Sequence, residues 1–418
     1  GFDADASAMT VLFGGAAVKP TGGSIDQVRV RVPASAYTGT LRLVTAAGDT
    51  SNALSFKVLV PTDSPVDEVL ATVQSGGAVK SVAVNPAGTL AYSVSPEADQ
   101  VVPIDLETFT SLPAITVGDE PVSIVITPDG HTAYVANFGS SSVSAIDLRQ
   151  GESTYHTVVA TIAVGSQPLD LATSPSGDRI YVALGGATGF DVLDGAPSSA
   201  TYNTVLASVR GGSGTKSVAV SPDGTRLYFG TDTGYIVVDG GDYNTVLASV
   251  SGSSGSKSVA VSPDGTLLFV LTVQGDVEIY DVNPGSSTEN QVLASVKGGS
   301  GTKSVAVSPD GTLLYLIQED DQVLVVSLSV TGSVSVLEPS TLLPPPTVSW
   351  TLVKTLDLGD DPTVLAFDPS GSGLAVLASA GSANLTILNT SSVRRGVADA
   401  SIEVSPRTLN LDSKGRWI

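Results

Sequence analysis

The sequence predicts an all-β protein whose main part is a seven-bladed β-propeller. Three nearly identical segments begin at Thr204, Thr245 and Gln291, and weaker copies flank them. A turn proline marks each of seven copies: Pro86, Pro128, Pro175, Pro222, Pro263, Pro309 and Pro369. Repeats of about 40 to 50 residues with four short strands each are typical of propeller blades. No helical periodicity interrupts them.

Each copy carries the signals of four strands in the same order. The first is a run of small and β-branched residues, such as 217–220, and a Pro-Asp-Gly turn follows it. Proline presets φ for such a turn and glycine supplies the positive φ that ends it. The third strand ends in an apolar residue and a short polar one, such as Ile146-Asp147, and the fourth is of the TVLASV type. The second carries an aromatic residue six positions after the proline in six copies, at Tyr92, Tyr134, Tyr181, Tyr228, Phe269 and Tyr315.

The number of strands predicts how the ring closes. Seven segments of the fourth-strand type occur, but the first of them precedes the first complete triplet and none follows the last triplet. We therefore expect the strand at 68–73 to complete the seventh blade. This arrangement pairs both ends of the ring and removes two open sheet edges.

The blades resemble the YVTN family of seven-bladed propellers. The motif appears as Tyr134-Val135-Ala136-Asn137, shortly after the turn Thr127-Pro128-Asp129-Gly130, and the resemblance covers residues 68–393. The sequence departs from it at Ala375 and in a long insertion at 337–350. The resemblance implies the fold, but not one function, because the scaffold hosts surface proteins and lactonase-like enzymes.

Residues 1–60 contain alternating segments that predict part of an antiparallel β-sandwich. VLFGG at 11–15, VRVP at 30–33, Gly39, Gly48 and the end strand 56–60 resemble the IPT/TIG immunoglobulin-like domain. Such a domain has one or two earlier strands, so this sandwich is expected to be incomplete. A strand from upstream or from a neighbouring chain, such as the arm at 400–418, would complete it. Residues 61–67 form a short linker containing proline, and 394–418 form an extension or the start of a further domain.

Composition excludes several classes of function. The chain has 20 basic and 41 acidic residues and a net charge of −21, which disfavours nucleic acid and anionic membrane surfaces as partners. It has no cysteine and only two histidines, which excludes thiolate metal centres, iron–sulfur clusters and multi-histidine sites. We expect no cofactor. No apolar run approaches the roughly 20 residues that span a membrane, so we expect no membrane insertion.

Four lysines occupy one repeated position, six residues before the turn proline. They are Lys80, Lys216, Lys257 and Lys303. The position begins the innermost strand, and in a propeller these strands surround one mouth of the central channel. Four cations on an acidic chain would attract an anionic ligand, such as a carboxylate or an acidic glycan. Alternatively, these lysines have no ligand: they recur because the blades were duplicated, and they stay exposed to solvent.

Recurring aspartates have a structural interpretation. Asp129, Asp223, Asp264 and Asp310 lie in the Pro-Asp-Gly turns of different blades, whereas Ca²⁺ needs six to eight converging oxygens. We interpret these aspartates as caps of their turns. We interpret the aspartates that end third strands in the same way. The pair Asp239 and Asp242 is the remaining candidate for a cation site.

The sequence contains no recognisable catalytic motif. His131 follows a turn glycine and His156 lies in a loop between strands, and neither belongs to a nucleophile motif. No Gly-x-Ser-x-Gly elbow and no phosphate-binding glycine loop are present. We therefore predict no catalytic residues. Glycosylation sequons begin at Asn384 and Asn389 and matter only in a secreted protein.

Together these patterns favour a non-catalytic, extracellular or cell-surface modular protein. The propeller would serve as a structural or adhesive disc in a surface assembly or fibre, with other copies of itself or other surface proteins as partners. Two alternatives remain open. One is a binding module for an anionic ligand or glycan at the channel mouth, and the other is a lactonase- or lyase-like propeller enzyme.

Overall fold

The structure is a computed structural model that describes residues 68–390, apart from 187–188, 211–213, 244, 320, 332–346, 359–360, 371–372 and 382. Outside this range it describes seven short strands. The predicted linker 61–67, most of the insertion at 337–350 and the end of the chain after 404 lie outside the described residues. The chain divides into two compact units, one of residues 69–388 and one of 1–68 with 389–418.

The larger unit confirms the predicted all-β, seven-bladed propeller. Seven antiparallel sheets follow one another along the chain. The innermost strands of blades 1 to 7 are Ser81–Val84, Pro121–Ile126, Pro168–Thr173, Thr215–Val220, Ser256–Val261, Thr302–Val307 and Pro362–Phe367. The second strands are Leu90–Ser95, Thr132–Asn137, Arg179–Leu184, Arg226–Thr231, Leu267–Thr272, Leu313–Gln318 and Leu374–Ser379. The third strands are Gln100–Asp105, Ser142–Asp147, Gly189–Asp194, Gly234–Asp239, Val277–Asp281, Gln322–Thr331 and Asn384–Asn389.

The outer strands show how the ring closes. In blades 2 to 6 they are Val158–Ala163, Val205–Arg210, Val246–Ser251, Val292–Val296 and Thr347–Asp357. In blade 1 the outer strand consists of two short pieces, Thr110–Ser111 and Ile115–Thr116. A 3₁₀ turn, Pro96–Ala98, precedes the third strand of the same blade. The outer strand of blade 7 is Glu68–Gln74, which pairs with Asn384–Asn389. The innermost strands of blades 7 and 1 also contact each other, so the circle is continuous.

The hydrophobic core lies between neighbouring blades. In one cluster, Tyr134 and Val143 of blade 2 pack against Ile180 and Val182 of blade 3, and all four are buried. Equivalent clusters occupy the other blade interfaces. Because every blade buries both faces, the second and third strands are apolar almost throughout, and burial of this surface is the main stabilising term.

The Pro-Asp-Gly turns also pack from blade to blade. Gly224 has a φ of +73°, and a Cβ built on it would lie 3.1 Å from Cδ of Pro175 in the preceding blade. Glycine is therefore required there for both its backbone conformation and its small size.

The smaller unit contains two short sheets. One has the order Ala16–Val18, Thr10–Phe13, Gly39–Val44, Leu54–Phe56, and the other has the order Gly22–Ser24, Gln27–Arg31, Ser401–Val404. In the second sheet Ile402 lies opposite Val30 in an antiparallel pair. The strand from the C-terminal segment thus pairs within its own chain here, and completion by a neighbouring chain stays a prediction. The IPT/TIG identity of this unit stays a prediction.

Candidate functional sites

The strand directions give the propeller two different faces. The lysine face carries the loops that precede the innermost strands and the hairpins that join second to third strands. The turn face carries the Pro-Asp-Gly turns and the loops that join third to outer strands. None of the described segments forms a helix long and apolar enough to cross a membrane.

β-bulges place the candidate lysines on the lysine face. The pairing of first and second strands shifts register between Thr215 and Ser217, and the same shift recurs in blades 5 and 6. Lys216, Lys257 and Lys303 are the extra residues at these bulges, so they leave the strand ladder. Lys80 directly precedes the innermost strand of blade 1 and is exposed.

Three of the four lysines are held by neighbouring groups. Nζ of Lys216 lies 2.7 Å from Oδ1 of Asp232. Lys303 pairs with Asp361, and Lys257 donates a hydrogen bond of 3.0 Å to the carbonyl of Thr302. The first two charges are therefore neutralised locally, and an anionic ligand would have to compete with these carboxylates.

A polar ring that sequence reasoning missed lies one residue further along the innermost strands. Serine occupies this position in blades 1, 2, 4, 5 and 6, and Asp170 occupies it in blade 3. Oδ1 of Asp170 accepts hydrogen bonds from Ser123 and the backbone N–H of Leu171. Oδ2 accepts them from Ser217 and the backbone N–H of Val218. One carboxylate thus joins blades 2, 3 and 4.

The environment of Asp170 is polar but enclosed. The Asp170 side chain is half-buried, and burial raises the pKa of its carboxyl against the opposing effect of its hydrogen bonds. All four contacts donate to the carboxylate, so the group is engaged as an acceptor. The arrangement fixes the three blades to one another rather than presenting a free acid.

The turn aspartates cap their turns. Oδ1 of Asp223 accepts a 2.6 Å hydrogen bond from Ser221 and one of 3.0 Å from the backbone N–H of Thr225. The hydroxyl of Ser221 is the main group that lowers the pKa of Asp223. The same contacts recur at Asp264 and Asp310.

The candidate cation pair Asp239 and Asp242 also makes local contacts. Asp239 accepts from the backbone N–H of Gly241, and Asp242 accepts from the backbone and hydroxyl of Thr245. Among the described residues, no group of three or more acidic or histidine side chains is arranged to hold a metal ion.

Loops on the turn face connect each blade to the one before it. His156, Asn203, Tyr243 and Asn290 occupy equivalent places in blades 2 to 5, with φ between 58° and 63°. The Tyr92 hydroxyl lies 3.1 Å from Nε2 of His156, and Tyr134 donates to Asn203 at 2.8 Å. Burial lowers the pKa of His156, which favours the neutral ring that packs between Tyr92 and Tyr155. The geometry gives His156 a role between blades.

The other candidate residues are accounted for individually. His131 is exposed and pairs with Asp129 of its own turn at 3.1 Å. The Asn389 side chain is buried, with 2% of its surface exposed, so attaching a glycan there would require opening the strand. Asn384 is half-buried and its side-chain oxygen accepts a hydrogen bond from Gln74.

Comparisons with known proteins place the chain among β-propellers by structure alone. No family model matches it, and no curated protein matches its sequence. A chain of hydrazine synthase from Kuenenia stuttgartiensis superposes with a TM-score of 0.61 and 21% identity, over 79% of this chain and 99% of that one. The Cps50 (Swd1) β-propeller domain of Myceliophteria thermophila has a TM-score of 0.61 and 15% identity, over 78% and 100%. At these identities the likeness shows the fold and no function.

Proposed function

We propose that the protein is a non-catalytic structural or adhesive module of an extracellular or cell-surface assembly. In this proposal the propeller discs associate with other copies of the chain through their circumference. The blades would belong to the YVTN type and the terminal strands to an immunoglobulin-like connecting module. Of the described features, the outer surface of the propeller gives this proposal its main support.

Exposed apolar residues recur around that circumference on the outer strands of six blades. They define the rim: Val69, Leu70, Val159, Val205, Leu206, Val246, Leu247, Val292, Trp350, Leu352 and Val353. Val246 and Val353 expose 54% and 60% of their surface. Single exposed apolar residues are ordinary, but a contiguous or repeated set marks an interaction surface.

A second β-bulge interrupts the pairing of third and outer strands in each of blades 2 to 6. In blades 3, 4 and 6 two successive apolar residues are exposed at this bulge. The pairing of third and outer strands in blade 3 passes from Ala207 to Val205 and leaves Leu206 as the extra residue. Leu247 and Val353 are the extra residues in blades 4 and 6. Because a bulge interrupts the free edge, continuous strand addition is disfavoured there. The rim is therefore suited to apolar side-chain packing between discs.

A repeated rim also suits copies of the same chain as partners. Every disc carries the same apolar pairs at several blades, so one disc can contact more than one neighbour, which generates sheets or fibres. The anionic-ligand alternative has less support because Asp232 and Asp361 already pair with two of the lysines.

The rim can be tested by charge insertion in the full chain. The double variant Leu206→Lys with Leu247→Lys places two cations on adjacent blades of the rim. Val273→Lys is the matched control, because Val273 is 43% exposed but lies in a hairpin on the lysine face. We expect sedimentation velocity and negative-stain microscopy to show assembly of the wild type and the control, and isolated discs for the double variant. A wild type that stays monomeric at high concentration would contradict the proposal.

A further inference from the structure

The outer strands of blades 3, 4 and 5 share one sequence. Val-Leu-Ala-Ser-Val occupies 205–209, 246–250 and 292–296. The bulge against the third strand falls at the leucine in all three copies. Because sequence and local geometry are the same, a difference in burial between the copies shows what lies against them.

The copy in blade 5 is covered by an extension of blade 6. The third and outer strands of blade 6 continue beyond their equivalents in the other blades, and Leu328 lies opposite Trp350 in the added part. The indole N–H of Trp350 donates a 3.1 Å hydrogen bond to the backbone carbonyl of Ser295 in blade 5. Leu328 belongs to the same hydrophobic cluster as Leu293 of that outer strand. The extension therefore packs on the preceding blade.

This cover changes the burial of otherwise identical residues. Leu293 of blade 5 is half-buried, whereas the equivalent Leu206 and Leu247 of blades 3 and 4 are exposed. Val296 is 1% exposed, whereas its equivalents in blades 3 and 4 are half-buried. Removing apolar surface from water is favourable. Blade 5 thus shows that this strand accepts a segment that carries tryptophan.

The corresponding strands of blades 3 and 4 lack such a cover. The third and outer strands of blades 4 and 5 have five or six residues each and carry no extension. None of the described side chains donates a hydrogen bond to the carbonyl of Ser208 or Ser249, which correspond to Ser295. Each strand therefore presents an exposed leucine beside a backbone acceptor, and neither contains a charged residue.

The chain itself contains a second segment suited to this surface. Its two tryptophans are Trp350 and Trp417, and Trp417 lies in the sequence Lys-Gly-Arg-Trp-Ile at 414–418. This segment has two cations and no acidic residue, whereas the whole chain has a net charge of −21. Opposite charge brings such a segment to an acidic disc, and tryptophan is among the side chains that contribute most to interfaces.

The topology of the ring favours a second copy as the acceptor. The chain leaves the propeller after Asn389 in blade 7. In a ring of seven, blades 3 and 4 lie opposite blade 7, because two blades separate them from it on either side. A segment that follows blade 7 and binds the opposite side of the next disc makes a head-to-tail contact, which repeats into a fibre.

We propose that residues 414–418 of one copy dock on the outer strand of blade 3 or blade 4 of a second copy. Trp417 then takes the place that Trp350 takes on blade 5. Its ring covers Leu206 or Leu247, and its indole N–H donates to the carbonyl of the serine two residues further on. This inference rests on the proposed rim assembly and names the element that joins the discs.

Sedimentation velocity of full-chain variants tests the segment. We expect Trp417→Ala to raise the concentration at which the discs associate by at least about tenfold, because truncating a buried interface tryptophan removes much of the binding energy. Trp350→Phe is the matched control, because it loses an indole contact within its own disc and should assemble like the wild type. Equal assembly by the wild type and Trp417→Ala would overturn this proposal and leave the rim assembly standing. Loss of assembly in Trp350→Phe alone would overturn it too, because blade 6 of the second copy would then be the occupant.

A synthetic peptide of residues 409–418, LNLDSKGRWI, gives a readout that does not need assembly. The full chain with Trp417→Ala keeps its acceptor strands open, so it should bind the peptide in isothermal titration calorimetry at up to about 1 mM. Adding Leu206→Lys and Leu247→Lys should weaken this binding at least about tenfold, whereas adding Val273→Lys should leave it unchanged. Equal melting temperatures check that these variants fold.

The outcomes separate this proposal from the proposed function. No binding of the peptide, or equal binding with and without the two lysines, would overturn the docking of 414–418 while an assembling wild type still supports the rim. A wild type that stays monomeric would overturn both.

Discussion

Replacing Asp170 by alanine would show how strongly the innermost strands depend on side chains that cross between blades. The carboxylate accepts four hydrogen bonds of 2.8 to 3.1 Å from groups in blades 2, 3 and 4. Alanine removes all four acceptor contacts at once. The buried N–H groups of Leu171 and Val218 then lose their side-chain partner.

The size of the effect follows from two opposing contributions. A buried donor without a partner costs about 1–3 kcal/mol, whereas removal of a buried carboxylate relieves its desolvation penalty. We expect a net loss of about 2 kcal/mol in the free energy of unfolding. With an unfolding entropy of about 2.1 cal/mol/K per residue over the unit 69–388, the melting temperature falls by about 3 °C.

Asp170→Ser is the matched control because the neighbouring blades use serine. Ser217 accepts a hydrogen bond from the backbone N–H of Val259 at 3.2 Å, so a serine at 170 can accept in the same way from Val218. Differential scanning calorimetry at pH 7 should place its melting temperature between those of the wild type and Asp170→Ala.

The pH dependence provides a second measurement on the same variants. Burial raises the pKa of Asp170 above its unfolded value, so the folded protein takes up this proton more readily than the unfolded chain. The stability of the wild type relative to Asp170→Ala should therefore increase as the pH falls from 7 toward about 4. An unchanged melting temperature for Asp170→Ala, or equal losses for alanine and serine, would refute the reasoning.

Two further predictions concern ring closure and acid stability. Deleting residues 1–74 removes the outer strand of blade 7 and exposes the edge of Asn384–Asn389. We expect the melting temperature to fall by at least about 5 °C. Deleting residues 1–66 is the control, because it keeps this strand. The Arg149 side chain holds the pKa of Asp147 below its usual range. The ionised Asp147 carboxylate therefore stabilises the fold fully above about pH 4, and this stabilisation is lost as the pH falls through the lowered pKa. Asp147→Asn should therefore cost about 1 kcal/mol in urea unfolding at pH 7, and the cost should begin to fall only below about pH 4 and continue to fall toward about pH 2; a cost that is the same at about pH 7 and about pH 2 would contradict this.

The sequence was sufficient for the architecture because the relevant signals are local and repeated. Proline, glycine and alternating apolar residues define each turn and strand, and the position of 68–73 before the first triplet indicated its place in the last blade. The aspartates of the turns were also interpretable, since their partners, such as Ser221 and Thr225 of Asp223, lie two residues away.

The bulges were not apparent from the sequence because a bulge changes which face a residue occupies without changing the strand pattern. Strict alternation places Leu206 on the exposed face with Ser208 but gives Val205 no reason to be exposed, and the register shift beside Val205 turns that side chain outward. Lys216 leaves the ladder for the same reason. The pairing of Lys216 with Asp232 joins the innermost strand to the hairpin after the second strand of the same blade and depends on that geometry.

Departures from the internal repeat are the most informative positions in such a chain. Features shared by many copies, such as the capped turns, serve the blade itself and need no ligand to explain them. Asp170 stands where five other blades have serine, and its four hydrogen bonds give it a structural use. Tyr228 departs differently: its residue type follows the repeat, but Tyr235 donates to the expected partner Asn290. The sequence alone could not reveal this, because the change lies in the partner and not in Tyr228. The Tyr228 hydroxyl interacts with Arg226 of its own strand instead, so the change of partner coincides with an arginine at a position where most other blades have leucine.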